Sequence, residues 1–275
     1  MNTTAPTLDL AAVKARQQET WSTGDFAVVA ARIAFVAERL AEAADLRADW
    51  RVLDVATGSG NAAIAAARSG CEVVGVDYVP ELLERGRQRA AAEGLEVTFL
   101  HGDAEELPFP DHSFDAVLSV YGSMFAPDQE RAAAELLRVC RPGGKVALAN
   151  WTPDGFIGQL FRTVGRHVPP PAGLRSPIEW GTEPRLRELL GASVSRLDVQ
   201  EQVYTFRFRS AEEFVDTFRT WYGPTAKAFA ALEPAGQQAL ADDLAELARS
   251  YDRVGEDADA VSITATYVEA IATRS

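Results

Sequence analysis

Short apolar runs alternate with longer helical patterns through the middle of the chain. The runs cover residues 51–56, 71–77, 96–103, 113–122 and 145–151. The segments between them place apolar residues three and four positions apart, which predicts helices. Strands that are apolar throughout and alternate with helices are typical of a parallel sheet covered on both faces.

The flanking segments show other patterns. Residues 8–20 and 26–44 are Ala-rich with helical spacing, and residues 21–25 break them. After Trp151 the pattern predicts a helix at 155–167, a proline-rich loop at 169–177 and a short helix at 183–191. A strand at 193–210, a helical stretch at 211–250 and a last strand at 260–273 follow. We therefore predict an α/β, Rossmann-like fold with a mostly parallel seven-stranded sheet, whose last strand is antiparallel and whose faces are covered by helices.

Composition and charge limit the classes of function that the chain can have. The 275 residues are 47% hydrophobic and 24% charged, as in ordinary globular proteins. The formal charge of -13 argues against nucleic acid as a partner, because phosphates need a basic surface. Cys71 and Cys140 are too distant in sequence to suggest a disulfide framework or a metal cluster. With no secretory pattern at the N-terminus and no stretch long enough for a membrane span, we expect a cytoplasmic protein without a metal.

The strongest local motif is the glycine-rich segment at 54–61, DVATGSGN, between a predicted strand and a predicted helix. Gly58 and Gly60 allow a tight turn and a close approach of the backbone to a ligand. The free N–H groups of the following helix suit an anionic group. A tight turn without a ligand is the simpler alternative.

Asp77 ends the second predicted strand, where its carboxylate can accept hydrogen bonds from ribose hydroxyls. Capping of the helix that starts near Pro80 is the alternative. Gly58, Gly60 and Ala63 also fit the dinucleotide fingerprint, with Asp77 near the expected spacing. These elements alone leave a nicotinamide-dependent oxidoreductase open.

Asp103 lies at the end of the third predicted strand, so three successive strands end in Asp54, Asp77 and Asp103. An electronegative sheet edge repels a pyrophosphate and attracts a sulfonium cation. Asp103 can also accept a hydrogen bond from an exocyclic amine such as that of adenine, or cap the next turn. This third carboxylate favours a sulfonium cofactor over a dinucleotide.

Four segments together resemble the class I S-adenosylmethionine-dependent methyltransferases, in particular the branch typified by ubiquinone- and menaquinone-biosynthesis enzymes and many small-molecule methyltransferases. They are VLDVATGSGNAA (52–63), VVGVDYVPELLERGR (73–87), HGDAEELPFPDHSFDAVLSVYGSMF (101–125) and LLRVCRPGGKVALANW (136–151). Ala56 departs from the family pattern, which has glycine there, and this puts the loop geometry in doubt.

The resemblance implies a division of the chain and a set of binding residues. A helical cap would cover 1–47 and the cofactor-binding core 48–152, followed by helical lid segments at 153–192 and 211–255 and by final strands at 193–210 and 259–273. The S-adenosylmethionine-binding residues would be Trp21, Asp54, Ala56, Thr57, Gly58, Ser59, Gly60, Asp77, Tyr78, Val79, Asp103, Ala104 and Ser119.

The acceptor side offers few chemical groups. A general base is needed only if the nucleophile must lose a proton. His167, in the predicted lid, and Tyr121, near the end of the fourth predicted strand, are the catalytic candidates, with capping or packing as the alternatives. Aromatic residues suit a hydrophobic small-molecule substrate, although an ordinary core would also use them. The candidates are Phe125, Trp151, Trp180, Tyr204, Trp221 and Tyr222.

The sequence therefore predicts an S-adenosylmethionine-dependent methyltransferase that methylates a hydrophobic small molecule at O, N or C by in-line transfer. An NAD(P)-dependent oxidoreductase and a non-catalytic S-adenosylmethionine-binding protein are the alternatives. We expect no nucleic acid, no membrane span and no metal, and a homodimer is left open as the oligomeric state.

Overall fold

The structure is a computed structural model that describes residues 9–255 and 259–275. Its strands are β1 (Arg51–Val55), β2 (Glu72–Asp77), β3 (Val97–His101), β4 (Phe114–Val120), β5 (Cys140–Trp151), β6 (Val194–Phe208) and β7 (Val261–Arg274). The helices are α1 (Leu10–Trp21), α2 (Phe26–Arg32), α3 (Ala34–Ala43), α4 (Asn61–Arg68), α5 (Pro80–Ala92), α6 (Gln129–Val139), α7 (Phe156–His167), α8 (Glu183–Leu190), α9 (Ala211–Trp221), α10 (Gly223–Ala230) and α11 (Pro234–Ser250).

The strands form one sheet in the order β3-β2-β1-β4-β5-β7-β6. β1 pairs in parallel with both β2 and β4, and β7 runs antiparallel to both β5 and β6. This confirms the predicted mostly parallel sheet with an antiparallel last strand. The strand order reverses between β1 and β4, and ligands of open parallel sheets bind outside the carboxyl ends of the strands at such a point.

Three predicted elements differ in detail. The helix predicted over 26–44 is two helices, because the backbone at Ile33 leaves helical geometry (φ -100°, ψ 10°). The helical stretch over 211–250 is three helices, and Tyr222, extended at ψ 102°, separates the first two. β5 begins at Cys140 rather than at Lys145, since Pro142 and the two glycines after it cannot continue a helix. Residues 1–8 of the predicted cap lie outside the described residues.

The Phe99 ring of β3 packs against glycines of the sheet and of two helices. A Cβ added at Gly60, Gly75 or Gly86 would lie 2.8, 3.0 or 2.7 Å from the Phe99 ring. The ring therefore fills a socket whose wall is glycine on β2, at the start of α4 and in α5. Gly60 has a second reason to be glycine, because its φ of +84° lies in the left-handed region.

Replacing Phe99 by Ala would empty this socket. We expect Phe99→Ala to lower the free energy of unfolding by about 3–5 kcal/mol, the usual cost of deleting a buried phenylalanine side chain. Urea denaturation followed by circular dichroism measures it. Leu100→Ala on the same strand is the control, because Leu100 is 38% exposed. Equal losses in the two variants would contradict the socket.

Candidate active site

A large cavity opens at the carboxyl ends of β1, β2 and β4. It holds about 1240 Å³ free of protein atoms, counted with its solvent-open mouth. Its wall comes from α1 and α2, from the ends of β1 to β5, from β6 and from the helices α7 and α9.

Asp54 holds the turn between β1 and α4 in place. Its Oδ2 accepts hydrogen bonds from the Thr57 hydroxyl at 2.5 Å and from the Ala63 N–H at 2.9 Å. The carboxylate is 2% exposed. Burial raises its pKa to about 7, although the two hydrogen bonds oppose this shift.

Asp77 joins the same turn to the end of β2. Its two oxygens accept from the N–H groups of Gly58 at 2.8 Å and Val79 at 2.9 Å. Burial raises the pKa of Asp77 to about 6, and these hydrogen bonds work against the shift. A carboxylate offers about four lone-pair sites, so Asp77 can still accept a hydrogen bond from a ligand.

Asp103 is covered by a cation from α1. Lys14 Nζ lies 2.5 Å from Asp103 Oδ2 and 2.5 Å from Glu105 Oε2. The two carboxylates raise the pKa of Lys14 against the opposing effect of burial. In the described part of the chain, Lys14 is the one basic side chain that lines the cavity.

Helix α1 is attached over the cavity along its length. Gln18 donates to the Tyr78 carbonyl at 2.6 Å, in the turn after β2. At the end of α1, the Trp21 ring packs edge-on against Phe26, Phe125 and Tyr222, with ring centroids 5.3, 4.9 and 5.6 Å away. Helix α1 therefore bridges the acidic strand ends and an aromatic cluster on the opposite side of the cavity.

The chain after β4 makes a strained turn. Tyr121 has a φ of +57°, which costs a non-glycine residue about 1–2 kcal/mol. Its N–H donates to the Ala149 carbonyl at 2.8 Å, and its ring stacks on Trp151 at 3.9 Å between centroids. The next turn is fixed by Ser119, whose hydroxyl accepts from the Ser123 N–H at 2.9 Å.

Ala56 adopts the backbone conformation that a glycine would take at this position. Its φ of +53° lies in the left-handed region, where glycine is favoured, so the turn keeps the expected geometry at a cost in strain. A Cβ added at Gly122 would lie 2.6 Å from the Ala56 oxygen and 2.7 Å from its Cβ. The extra methyl group of Ala56 is therefore accommodated by a glycine on the facing turn.

The structure brings together most of the residues predicted from the sequence. The cavity is lined by Trp21, Asp54, Ala56, Thr57, Gly58, Ser59, Asp77, Tyr78, Asp103, Ala104, Tyr121, Phe125, Trp151 and Tyr222. Gly60, Val79 and Ser119 lie just behind this wall. Gly60 starts α4, the Val79 N–H holds Asp77, and the Ser119 hydroxyl donates to the Val55 carbonyl at 2.8 Å. These three support the wall without lining it.

Four predicted residues do not line this cavity. His167 ends α7 and its Nε2 lies 2.8 Å from Asp243 Oδ2 of α11, so the ring is hydrogen-bonded between these two helices. Trp180 is 0% exposed and belongs to the core. Tyr204 lies on β6 and its hydroxyl donates to the Arg32 carbonyl at the end of α2. Trp221 ends α9 and is 38% exposed.

Sequence reasoning missed other lining residues. Phe218 of α9 precedes Tyr222, the residue that follows this helix, by four positions, a helical spacing that the sequence displays. Lys14 carried no such signal, because its partners are 89 and 91 positions away along the chain. The remaining side chains that were missed include Gln17, Phe26, Ile157 and Phe206.

The described residues contain no group of three or more His, Cys, Asp or Glu side chains arranged to hold a metal ion. None of their helices is both long and apolar enough to cross a membrane.

Comparison with known proteins identifies the family. Residues 53–148 match the family model described as a methyltransferase domain. An uncharacterised protein of Mycobacterium tuberculosis is 40% identical over 256 residues, which cover 91% of this chain and 93% of the relative. A demethylmenaquinone methyltransferase of Deinococcus radiodurans is 43% identical over 127 residues, covering 45% of this chain and 53% of that protein. The chain belongs to the class I S-adenosylmethionine-dependent methyltransferases and is an enzyme that uses S-adenosylmethionine.

Solved structures agree on the fold. The YcgJ protein of Bacillus subtilis aligns with a TM-score of 0.60 at 22% identity and covers 86% of this chain and 97% of its own. The cyclase SpnF aligns with a TM-score of 0.52 at 20% identity and covers 88% and 80%. Since a cyclase shares it, the fold alone does not define methyl transfer. The sequence family decides against the oxidoreductase alternative.

The raised pKa values predict how cofactor affinity depends on pH. The sulfonium cation stabilises the ionised carboxylates of Asp54 and Asp77, so binding lowers their pKa values from about 7 and 6 and releases protons. Affinity for S-adenosylmethionine should therefore rise between pH 5 and 7.5, by about tenfold for each carboxyl whose pKa falls by one unit. Titration calorimetry at several pH values measures this rise. S-adenosylhomocysteine, whose sulfur is neutral, should show a smaller rise, and equal slopes for the two ligands would contradict the electrostatic argument.

The contacts of Lys14 predict how fast the cofactor leaves. Lys14→Met removes the ion pairs that hold α1 over the strand ends, so we expect dissociation of both S-adenosylmethionine and S-adenosylhomocysteine to be up to about fivefold faster, the range for partly exposed pairs. Stopped-flow tryptophan fluorescence follows the release. Lys227→Met, which breaks the exposed pair with Glu19 on α1, is the matched control. Tighter binding of S-adenosylmethionine alone would instead mean that Lys14 acts by charge repulsion.

Proposed function

We propose that the enzyme transfers the methyl group of S-adenosylmethionine to an uncharged, hydrophobic small molecule. The observation that carries this proposal is the distribution of charge around the cavity. Its charged lining residues are all on α1 or at the ends of β1 to β3: Lys14, Asp54, Asp77, Asp103 and Glu105. From β4 onward the described wall is uncharged: Val120, Tyr121, Gly122, Ser123, Phe125, Ala126, Pro127, Trp151, Ile157, Phe206, Phe218 and Tyr222.

The acidic strand ends fit the cofactor. We assign the ribose hydroxyls to the Asp77 carboxylate and the adenine edge to Asp103 and Ala104. The turn after β1, which Asp54 organises, would hold the methionine part, with its glycines close to the ligand. The negative charge of this wall suits a cation, and α1 with Lys14 covers it. These roles rest on the geometry and on the chemistry of the groups.

The uncharged wall fits the acceptor. Sheet order places β4 and β5 on the opposite side of β1 from β2 and β3, so the two kinds of wall face different parts of the cavity. An apolar, aromatic wall binds by burial of apolar area and excludes charged molecules, because an unpaired buried charge costs several kcal/mol.

The chemistry needs little from the protein beyond position. The bound cofactor supplies an electrophilic methyl group on a good leaving group. The chain aligns the acceptor with that methyl group and keeps water out, through the aromatic cluster around Trp21. Since His167 is paired with Asp243 away from the cavity, we assign it no part in proton transfer.

Two matched ligands test the proposal. 2-Acetylnaphthalene and 2-naphthoate have nearly the same shape, and the second is an anion. We expect 2-acetylnaphthalene to bind the complex with S-adenosylhomocysteine at least about tenfold more tightly, because no cation pairs with the carboxylate. Ligand-observed NMR titration measures both affinities.

Lys14→Met is the control for this experiment, because Lys14 lies at the acidic strand ends and its loss should leave the ratio unchanged. Equal or tighter binding of 2-naphthoate, or no binding of either compound, would count against an uncharged hydrophobic acceptor.

A further inference from the structure

Strand β6 forms one edge of the sheet, next to β7 in the strand order. It runs for 15 residues, whereas strands of globular proteins usually have about 5 or 6. A register shift interrupts its pairing with β7 between Val194 and Arg196, and from there to Phe208 the pairing is regular. A long, regular edge presents a row of backbone N–H and C=O groups to which another strand can add, and proteins normally shorten, bend or cover such an edge.

The hydrogen bonds of β7 show which backbone groups of β6 point outward. The Thr264 N–H and the carbonyls of Ser262 and Thr266 bond to residues 152 and 251–253 on the far side of β7, at distances of 3.1 to 3.3 Å. In an antiparallel pair, two residues that lie opposite each other either exchange hydrogen bonds or both point away. The residues of β6 opposite these three therefore point to the outer edge, and by alternation so does a fourth: Val203, Thr205, Arg207 and Glu201.

This outer edge is open in the structure. Glu201, Val203 and Arg207 are exposed, Val203 by 49%. Among the described residues, one hydrogen bond reaches a backbone group of this edge between 199 and 207, and it comes from β6 itself. The Arg207 guanidinium donates to the Thr205 carbonyl at 3.2 Å. A partner strand can replace this contact with the hydrogen bonds of a regular ladder.

The charged side chains of β6 fall into two groups. Those near the ends of the strand are paired locally, as Arg196–Asp198 and Arg209–Glu213. In the middle, Glu201 and Arg207 form no salt bridge with another described residue, although both are exposed. These two side chains have opposite charges and lie on one face of the sheet, because they are an even number of positions apart.

Glu201 and Arg207 are placed symmetrically, three positions before and three positions after Tyr204. When two copies of β6 pair in antiparallel fashion about Tyr204, Glu201 of each copy lies directly opposite Arg207 of the other, and Val203 lies opposite Thr205. All four residues point their backbone groups outward, so these are the hydrogen-bonded pairs of the ladder. Opposite charges in directly opposite positions stabilise strand pairing, and a two-fold axis makes each contact twice.

We propose that the outer edge of β6 pairs with the same edge of a second copy of this chain, which joins the two sheets across a two-fold axis at Tyr204. The second copy is favoured over a strand of another protein because β6 is complementary to itself in charge in this register. The net charge of -13 on each copy opposes association at long range. The test is therefore made at about 0.15 M salt, where charges are screened beyond about 8 Å.

Charge reversal tests both the edge and its register. In sedimentation velocity over a range of concentrations, we expect the wild type to dimerise. Glu201→Arg alone and Arg207→Glu alone should each raise the dissociation constant by about tenfold or more, because like charges then lie opposite each other at both symmetric contacts. An equimolar mixture of the two variants should dimerise as tightly as the wild type, since both contacts of the mixed dimer again join opposite charges.

Arg196→Glu is the matched control, because it makes the same charge change as Arg207→Glu on the same strand but beyond the opposed residues. It should dimerise like the wild type. A monomeric wild type, single variants that dimerise normally, a mixture that does not recover, or an equal loss in Arg196→Glu would each overturn the proposal.

Hydrogen exchange locates the interface independently of the charge variants. The outward amides of Val203, Thr205 and Arg207 should exchange more slowly as the protein concentration rises and the dimer forms. The same amides should stay unprotected in Glu201→Arg at concentrations where this variant is monomeric. Protection by dimerisation that leaves these amides unchanged would mean that the copies meet through another surface, and the proposal would be rejected.

Discussion

The site depends on two buried carboxylates, those of Asp54 and Asp77, that form no salt bridge with any residue in the described part of the chain. Asp54 and Asp77 bond to N–H groups and to one hydroxyl of the turn that they organise, and both have raised pKa values. Their ionised forms therefore destabilise the protein without cofactor as pH rises toward neutrality. A positively charged cofactor relieves this cost, so the folded turn is selective for a cation before any contact with the rest of the ligand.

The sheet and this turn could be predicted from the sequence because their signals are local. Apolar runs of strand length, each closed by an acidic residue or glycine, place Asp54, Asp77 and Asp103 at one edge as soon as the strands are taken to be parallel. The corrected boundaries, such as the start of β5 at Cys140, concern residues whose pairing depends on a partner strand far along the chain.

The acceptor side could be predicted only in part, because an aromatic residue packs equally well in a core or in a cavity wall. Trp151 and Trp180 look alike in sequence, yet one lines the cavity and the other lies beneath β5 at zero exposure. Lys14 and Phe206 were missed for a related reason. Their positions follow from how α1 and β6 meet the core, and no short motif records this.

How much a relative indicates about the substrate depends on whether its similarity reaches the residues that line the cavity. The family model ends at residue 148, whereas Trp21, Trp151, Ile157, Phe206, Phe218 and Tyr222 all lie outside it. Similarity to demethylmenaquinone methyltransferases covers 127 residues, fewer than separate Trp21 from Tyr222, so it cannot include both ends of this set. The mycobacterial relatives are similar over 91% of the chain and so share these segments. An acceptor found for any of them would thus be a better guide than the substrate of the quinone enzymes.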